Sequence, residues 1–111
     1  MINQISKTAH AIHLAYCKEN NIPTQPVWEE VSVEHKEIVY DTVTNILKDS
    51  IKTVEESHDN FIKKKYSQGW IFGEVYSLEN KTNPRMVDFS RLTLEQRTKE
   101  RLFFECVNSF K

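Results

Sequence analysis

The scarcity of glycine constrains the fold of this chain more than any other feature of its sequence. Among 111 residues there are only two glycines, Gly69 and Gly73, and three prolines, Pro23, Pro26 and Pro84. Glycine supplies the unusual backbone conformations of tight turns and of loops that cradle phosphates. The sequence therefore favours helices joined by a few defined loops over Gly-rich nucleotide loops or β architectures with many turns.

Size and composition predict one soluble domain spanning residues 1–111. Hydrophobic residues make up 39% of the chain and charged residues 28%, which is ordinary for a globular protein. No stretch approaches the roughly 18 consecutive apolar residues of a membrane span. The segment Met1–Lys7 resembles neither a secretory signal nor a transit peptide. We expect a cytoplasmic protein with no membrane partner.

Net charge and cysteine usage argue against a nucleic-acid-binding protein and against a disulfide or a cysteine-based zinc site. Fifteen basic and sixteen acidic residues give a formal net charge of -1, which removes the main electrostatic argument for binding nucleic acid. Cys17 and Cys106 lie far apart, and the expected reducing compartment disfavours a disulfide between them. We interpret both as small buried thiols, since a Cys-based zinc site would lack ligands.

Apolar residues recur at helical spacing in four segments. The predicted helices run from Ile2 to Asn20, from the N-cap Ser32 to Lys48, from about Thr53 to Gln68, and from the capping box Thr93–Gln96 to Phe110. Trp28 should anchor the loop after the first helix, and Gly69 should terminate the third. Residues 70–87 predict a short β-hairpin or an ordered loop. The fold class is mainly α.

The two halves of the chain, about 1–50 and 51–111, share an order of residues. In the first half His10 lies in a helix and Pro26 follows in the loop. In the second half His58 lies in a helix and Pro84 follows. A second helix opens after each loop. This order predicts two helix-loop-helix repeats related by a pseudo-twofold axis, with an insertion around Trp70 in the second.

Several motifs together resemble a known family. They are Ser57-His58-Asp59, Gly69-Trp70-Ile71-Phe72-Gly73, Lys81-Thr82-Asn83-Pro84-Arg85-Met86-Val87, and Leu92 with Glu95. Over roughly the C-terminal half, the chain resembles the ryanodine-receptor repeat (RyR) domain. The N-terminal half, with Ala9-His10 and Gln25-Pro26-x-Trp28-Glu29, resembles the lead-in of compact free-standing members found in bacteria and their viruses.

The chain departs from the family pattern at three places. Asn83 stands where the family usually has His, Arg85 where it has a small residue, and Asp88-Phe89 where Pro-Tyr is common. If these positions contact a ligand, we expect its affinity or preference to differ from that of the relatives.

The resemblance implies recognition of an adenine-nucleotide-like ligand, and it indicates candidate binding residues. Trp70 offers a face for stacking a base, and Lys81 and Arg85 could pair with phosphates. His58 and His10 could each hydrogen-bond a ligand or a loop carbonyl. The alternative interpretation is structural: Trp70 as a core anchor, the two cations as solvated loop charges, and the histidines as partners of the backbone.

Catalytic and metal signatures are weak. His10, His13 and Cys17 share one helical face, but one helix without an acidic partner makes a poor zinc site. Hydrolase, Walker and dinucleotide motifs do not occur. We therefore predict a non-catalytic module without metal or cofactor that senses or sequesters a small molecule. The alternative is an interaction domain in which exposed apolar residues such as Trp28 and Phe110 form a homo-oligomer or partner interface.

Overall fold

The predicted mainly α architecture is confirmed in a computed structural model that describes residues 1–111. The four helices are α1 (Ile2–Glu19), α2 (Val33–Leu47), α3 (Val54–Ser67) and α4 (Leu94–Asn108). Short 3-10 helices, Trp28–Glu30 and Phe89–Arg91, lie just before α2 and α4. None of the helices combines the length and the hydropathy needed to cross a membrane.

Side-chain caps begin three of the four helices where the sequence predicts them. The Ser32 hydroxyl accepts a hydrogen bond from the backbone N–H of His35 at the start of α2. Thr53 forms a capping box with Glu56 at the start of α3, and Thr93 forms one with Gln96 at the start of α4. Each cap satisfies backbone donors that the first helical turn would otherwise leave unpaired.

Glycine ends α3, as predicted. Gly69 has a φ of 89°, a conformation that costs a residue with a Cβ roughly 1 to 2 kcal/mol. Its N–H donates to the carbonyl of Tyr66, and the N–H of Trp70 donates to the carbonyl of Lys65. These two bonds are those of a Schellman motif, and they turn the chain from the helix into residues 70–87.

The helices pack around one apolar core. α1 lies against α4 and α2, while α3 lies against α2 and α4. Core residues come from all four helices and from the loops before α3 and α4: Ile5, Ala9, Val43, Ile46, Ile51, Val54, Phe89, Leu92, Phe104 and Val107. Residues far apart in sequence thus meet in one interior.

The prediction of a hairpin within residues 70–87 is wrong, and the alternative prediction of an ordered loop describes this segment better. Strand β1 (Ile71–Phe72) pairs with β2 (Thr82–Asn83) in parallel, whereas a hairpin is antiparallel. The chain reverses twice, because Ser77 forms an antiparallel bridge with Thr82 before β2 runs beside β1. This path returns the chain towards α3 and leaves residues 84–88 beside the helices.

Corresponding local contacts occur in the two halves. His10 Nε2 lies 2.8 Å from the Pro26 carbonyl oxygen, and His58 Nε2 lies 2.6 Å from that of Val87. Each imidazole also packs against the aromatic residue that begins the following 3-10 helix, Trp28 or Phe89. A twofold axis relating the whole halves is not shown, so the repeat stays a prediction.

Trp28 anchors its loop, as predicted, but its predicted exposure is wrong. Only 5% of Trp28 is exposed, because its ring packs against His10 and Tyr40, and its Nε1–H donates to Asn3. Phe110 is exposed, as expected. Trp28 therefore stabilises the fold instead of presenting an interface.

We expect Gly69→Ala to lower the free energy of unfolding by about 1 kcal/mol, because alanine is strained at positive φ. Urea unfolding followed by circular dichroism measures the change. Lys63→Ala, an exposed substitution in the same helix, is the matched control and should have little effect. An equal loss in both variants would contradict this role of Gly69.

Candidate functional site

A cleft of about 110 Å³ lies between the four helices and the loop that precedes α4. Five apolar residues form part of its wall: Ala9, Ile38, Val39, Phe61 and Phe103. Six titratable or charged side chains also line it: His10, His13, His35, Arg85, Lys99 and Glu100. Such a concentration of polar groups in an otherwise apolar concavity is typical of a small-molecule site.

Arg85 is held at the cleft by three contacts. Both Arg85 and one of its partners, Asn83, are residues that depart from the family pattern. The buried Asn83 side chain accepts a hydrogen bond from the Arg85 backbone N–H at 2.9 Å. The guanidinium carbon lies 4.5 Å from the centre of the Phe61 ring, a cation–π contact. Its Nη2 lies 3.4 Å from Glu100 Oε2. Two of the departures noted in the sequence thus act together, since Asn83 orients the backbone of Arg85.

His58 lies behind this arginine and is fully buried. Its Nδ1 is 2.7 Å from Glu100 Oε1 and its Nε2 is 2.6 Å from the Val87 carbonyl oxygen. Both partners are acceptors, so both ring nitrogens must carry protons to make both bonds. Burial opposes this charge, but the hydrogen bond and charge of Glu100 and the Val87 carbonyl outweigh it and raise the pKa of His58.

The pKa shifts in the opposite direction at His13 and His35, two histidines that line the cleft. Burial lowers the pKa of His13 to about 4, with further lowering by Lys99, Arg85 and His10. Burial also lowers the pKa of His35 to about 3, and Lys65 and Arg85 add to this effect. Both imidazoles are therefore neutral near pH 7, and the surroundings that keep them neutral are positively charged.

Several polar atoms of the cleft lack a hydrogen-bond partner. Ser6 is fully buried, and its Oγ has none. The Nε of Arg85 also has none, and Lys99 takes part in no ion pair within 4 Å. Buried polar groups without partners are rare in folded proteins. Glu100 Oε2 has no hydrogen-bond partner either, so the cleft offers a ligand unused donors and one unused acceptor.

The cleft brings together some of the predicted binding residues. Arg85 and His10 line it, and His58 contacts its wall through Glu100. His10 also makes the structural contact with Pro26 that was the alternative interpretation. Lys81 is not among the lining residues, and its Nζ donates to the Gln68 carbonyl at 2.8 Å.

Trp70 lies outside the cleft, and its ring packs against Lys65 and Tyr76. It is only 3% exposed, with Lys65 Nζ 4.5 Å from the ring centre and Tyr76 packed at 5.6 Å between centroids. These contacts match the core-anchor interpretation of Trp70. Burial lowers the pKa of Lys65, with a further contribution from Arg85.

Four of the six titratable or charged lining residues were not predicted as ligand-binding: His13, His35, Lys99 and Glu100. Only His13 had a sequence signal, its spacing from His10, and that spacing was weighed for a metal. No group of three His, Cys, Asp or Glu side chains is arranged to hold a metal ion. The other three lie on helices whose relative placement the spacing of residues does not give.

Comparison with known families gives a match over more than half of the chain. The model of the RyR domain family matches residues 42–109. The chain belongs to the RyR domain family. The matched range includes His58, Arg85, Lys99 and Glu100, whereas the three cleft histidines all precede it. No solved structure matches the chain.

We expect Glu100→Gln to lower the pKa of His58, because the substitution removes the carboxylate that stabilises the imidazolium. The variant should also lose about 3 kcal/mol of stability through the broken buried pair. In the wild type the contribution of this pair is fully present below the unfolded pKa of His58, about 6.5, and is lost as the pH rises through the raised folded pKa.

Proton NMR of the His58 ring across this range, with urea unfolding at each pH, measures both effects. Glu105→Gln, an exposed change on the same helix, should leave both unchanged. An unaltered His58 titration in Glu100→Gln would show that the carboxylate does not control this charge.

Proposed function

We propose that this RyR domain is a non-catalytic binding module whose cleft takes the phosphate end of a nucleotide-derived ligand. The observation that carries the proposal is the convergence of Arg85 and Lys99 on a cleft with unpartnered buried donors. Arginine and lysine are the side chains that bind phosphate oxygens most strongly. Family membership supports the same proposal, since the resemblance implies a ligand of the adenine-nucleotide class.

The volume of the cleft favours enclosure of the charged end over enclosure of the base. The cleft measures about 110 Å³, and an engineered cavity that binds benzene has about 150 Å³. A tetrahedral phosphate is smaller than an aromatic ring system. The phosphate would therefore lie inside, and the sugar and base would extend to the mouth.

The side chains that could act as nucleophiles support a binding role without turnover. Ser6 Oγ has no hydrogen-bond partner, so no base activates it. Cys17 Sγ lies 3.7 Å from His13 Nε2, but Cys17 is fully buried within α1. The lowered pKa of His13 makes that imidazole a weak base.

A cytoplasmic location belongs to the same proposal. Cys17 and Cys106 are both free thiols, the state that a reducing compartment maintains. A small module there would act by sequestering its ligand or by passing the signal to a separate protein.

Thermal shift against ADP, ATP and ADP-ribose tests the proposed function. A ligand at a hundred times its Kd should stabilise the wild type by about 2.7 kcal/mol. Arg85→Gln and Lys99→Gln should each lose most of this shift, because each removes a phosphate contact. Lys81→Gln is the matched control, since Lys81 lies outside the cleft. A shift lost in Lys81→Gln but kept in Arg85→Gln would relocate the site to the loop around Trp70.

One surface supports the alternative of an interaction domain. Five large apolar residues of the loop that carries β1 are exposed: Ile71, Phe72, Val75, Tyr76 and Leu78. Contiguous exposed apolar residues are typical of protein interfaces. This loop, rather than Trp28, is where an interface would form.

For this alternative we expect the wild type to associate at high concentration and the double variant Val75→Ser, Leu78→Ser to remain monomeric. Loss of exposed apolar area would weaken the contact without affecting the core. Sedimentation velocity over a range of concentrations measures this. Val33→Ser, at another exposed apolar position, is the control, and a wild type that stays monomeric throughout would contradict self-association.

A further inference from the structure

Three imidazoles from two helices face the two cations of the cleft. His10 and His13 come from α1 and His35 from α2, opposite Arg85 in the loop and Lys99 in α4. The rings of His10 and His13 are stacked, with centroids 6.0 Å apart.

We infer that oxyanion binding in this cleft is coupled to protonation of His13 and His35, so that the domain holds its ligand more tightly as the pH falls. The inference rests on the proposed function of the cleft. It adds a means of regulation, because the occupancy of the site would respond to pH as well as to ligand concentration.

The groups facing His13 leave it without a compensating negative charge. Lys99 on α4, Arg85 in the loop and His10 on α1 each act on it as positive or potentially positive groups. Cys17 Sγ, on the same helix, is 3.7 Å from its Nε2. No carboxylate contributes to the field at this imidazole.

The groups that act electrostatically on His35 are also positive or potentially positive. Lys65 on α3, Arg85 in the loop, and His10 and His13 on α1 act on its charge. The one carboxylate lining the cleft, Glu100, is already bonded to His58 and paired with Arg85. The groups that lower the pKa of the two imidazoles electrostatically are therefore basic side chains.

A bound oxyanion would reverse this balance. Its negative charge would offset the positive charges of Arg85 and Lys99, and its oxygens would accept hydrogen bonds from the protonated rings. Both effects favour the imidazolium form. In the empty protein the pKa values of His13 and His35 are about 4 and about 3. Both rings are thus uncharged near pH 7 and able to take up a proton with the ligand.

The sign of the pH dependence follows by linkage. A group whose pKa is higher in the complex than in the free protein takes up protons on binding, so acid strengthens binding. The gain begins as the pH falls through the pKa of the complex. For His13 it ends near its free pKa of about 4, since below that value the ring is charged in both states.

NMR titration of the full chain with inorganic sulfate tests the coupling. Sulfate keeps its charge across the working range, so a pH effect reports on the protein. At about pH 6, sulfate should move the ring resonances of His13 and His35 towards their protonated positions. The Kd for sulfate should be roughly tenfold weaker at about pH 8 than at about pH 5.

Matched variants assign the effect. His13→Gln and His35→Gln should each reduce the pH dependence of sulfate binding, and each identifies its ring resonance. Lys7→Gln removes one positive charge from an exposed position of α1 that does not line the cleft, where Lys7 pairs with Glu29, and should change neither result. Inorganic phosphate, run in parallel, should bind at the same place with a steeper pH profile of its own.

The outcomes separate this inference from the proposed function. Sulfate binding of equal strength at both pH values, with both rings neutral, would overturn the coupling and leave the binding module intact. Nucleotide binding without any sulfate binding would also overturn it, because the oxyanion alone must drive protonation. Failure of every oxyanion and nucleotide to bind would overturn both.

Discussion

The hydrogen bonds of His58 connect three parts of the molecule that chain connectivity alone would leave free to move. Its ring belongs to α3, one partner is Glu100 on α4, and the other is the Val87 carbonyl in the loop before α4. Because two acceptors require the doubly protonated ring, the interaction fixes a positive charge in the interior. Glu100 serves both this charge and Arg85, which places the guanidinium at the edge of the cleft. The candidate site depends on this arrangement even though His58 is not among its lining residues.

Features fixed by neighbouring residues could be predicted from the sequence. Ser32, Thr53 and Thr93 act within their own first turns, and Gly69 ends α3 by bonds that span six residues. Features fixed by distant contacts could not. The parallel pairing of β1 and β2 depends on the bridge between Ser77 and Thr82, which no alternation of residues indicates. Trp28 could be placed as an anchor, but its burial against Tyr40 requires α2 to lie beside the loop.

The same distinction applies to the candidate site. Arg85 and His58 could be selected because motif spacing in the C-terminal half resembles that of the RyR domain. Lys99 and His35 could not, because each is an ordinary polar residue on a helix until α4 and α2 enclose the cleft. Trp70 illustrates the reverse case: its motif indicates a stacking platform, whereas its ring is buried against Lys65 and Tyr76. A motif thus gives the residue but not the direction in which its side chain faces.

The charged and titratable residues of the cleft come from two parts of the chain, the range that matches the family and the residues before it. The range that matches the family, residues 42–109, supplies the fixed charges Arg85, Lys99 and Glu100. The residues before that range supply His13 and His35, which are neutral near pH 7. Holding His13 and His35 neutral costs stability in acid, because below about pH 6.5 the unfolded chain binds protons that the folded cleft rejects. The His58 pair acts in the opposite range, since its contribution declines above that pH. An anion in the cleft would let both imidazoles take up protons in the folded state, which would remove this loss of stability in acid. The positive charges that attract a ligand are therefore also the ones that the ligand stabilises.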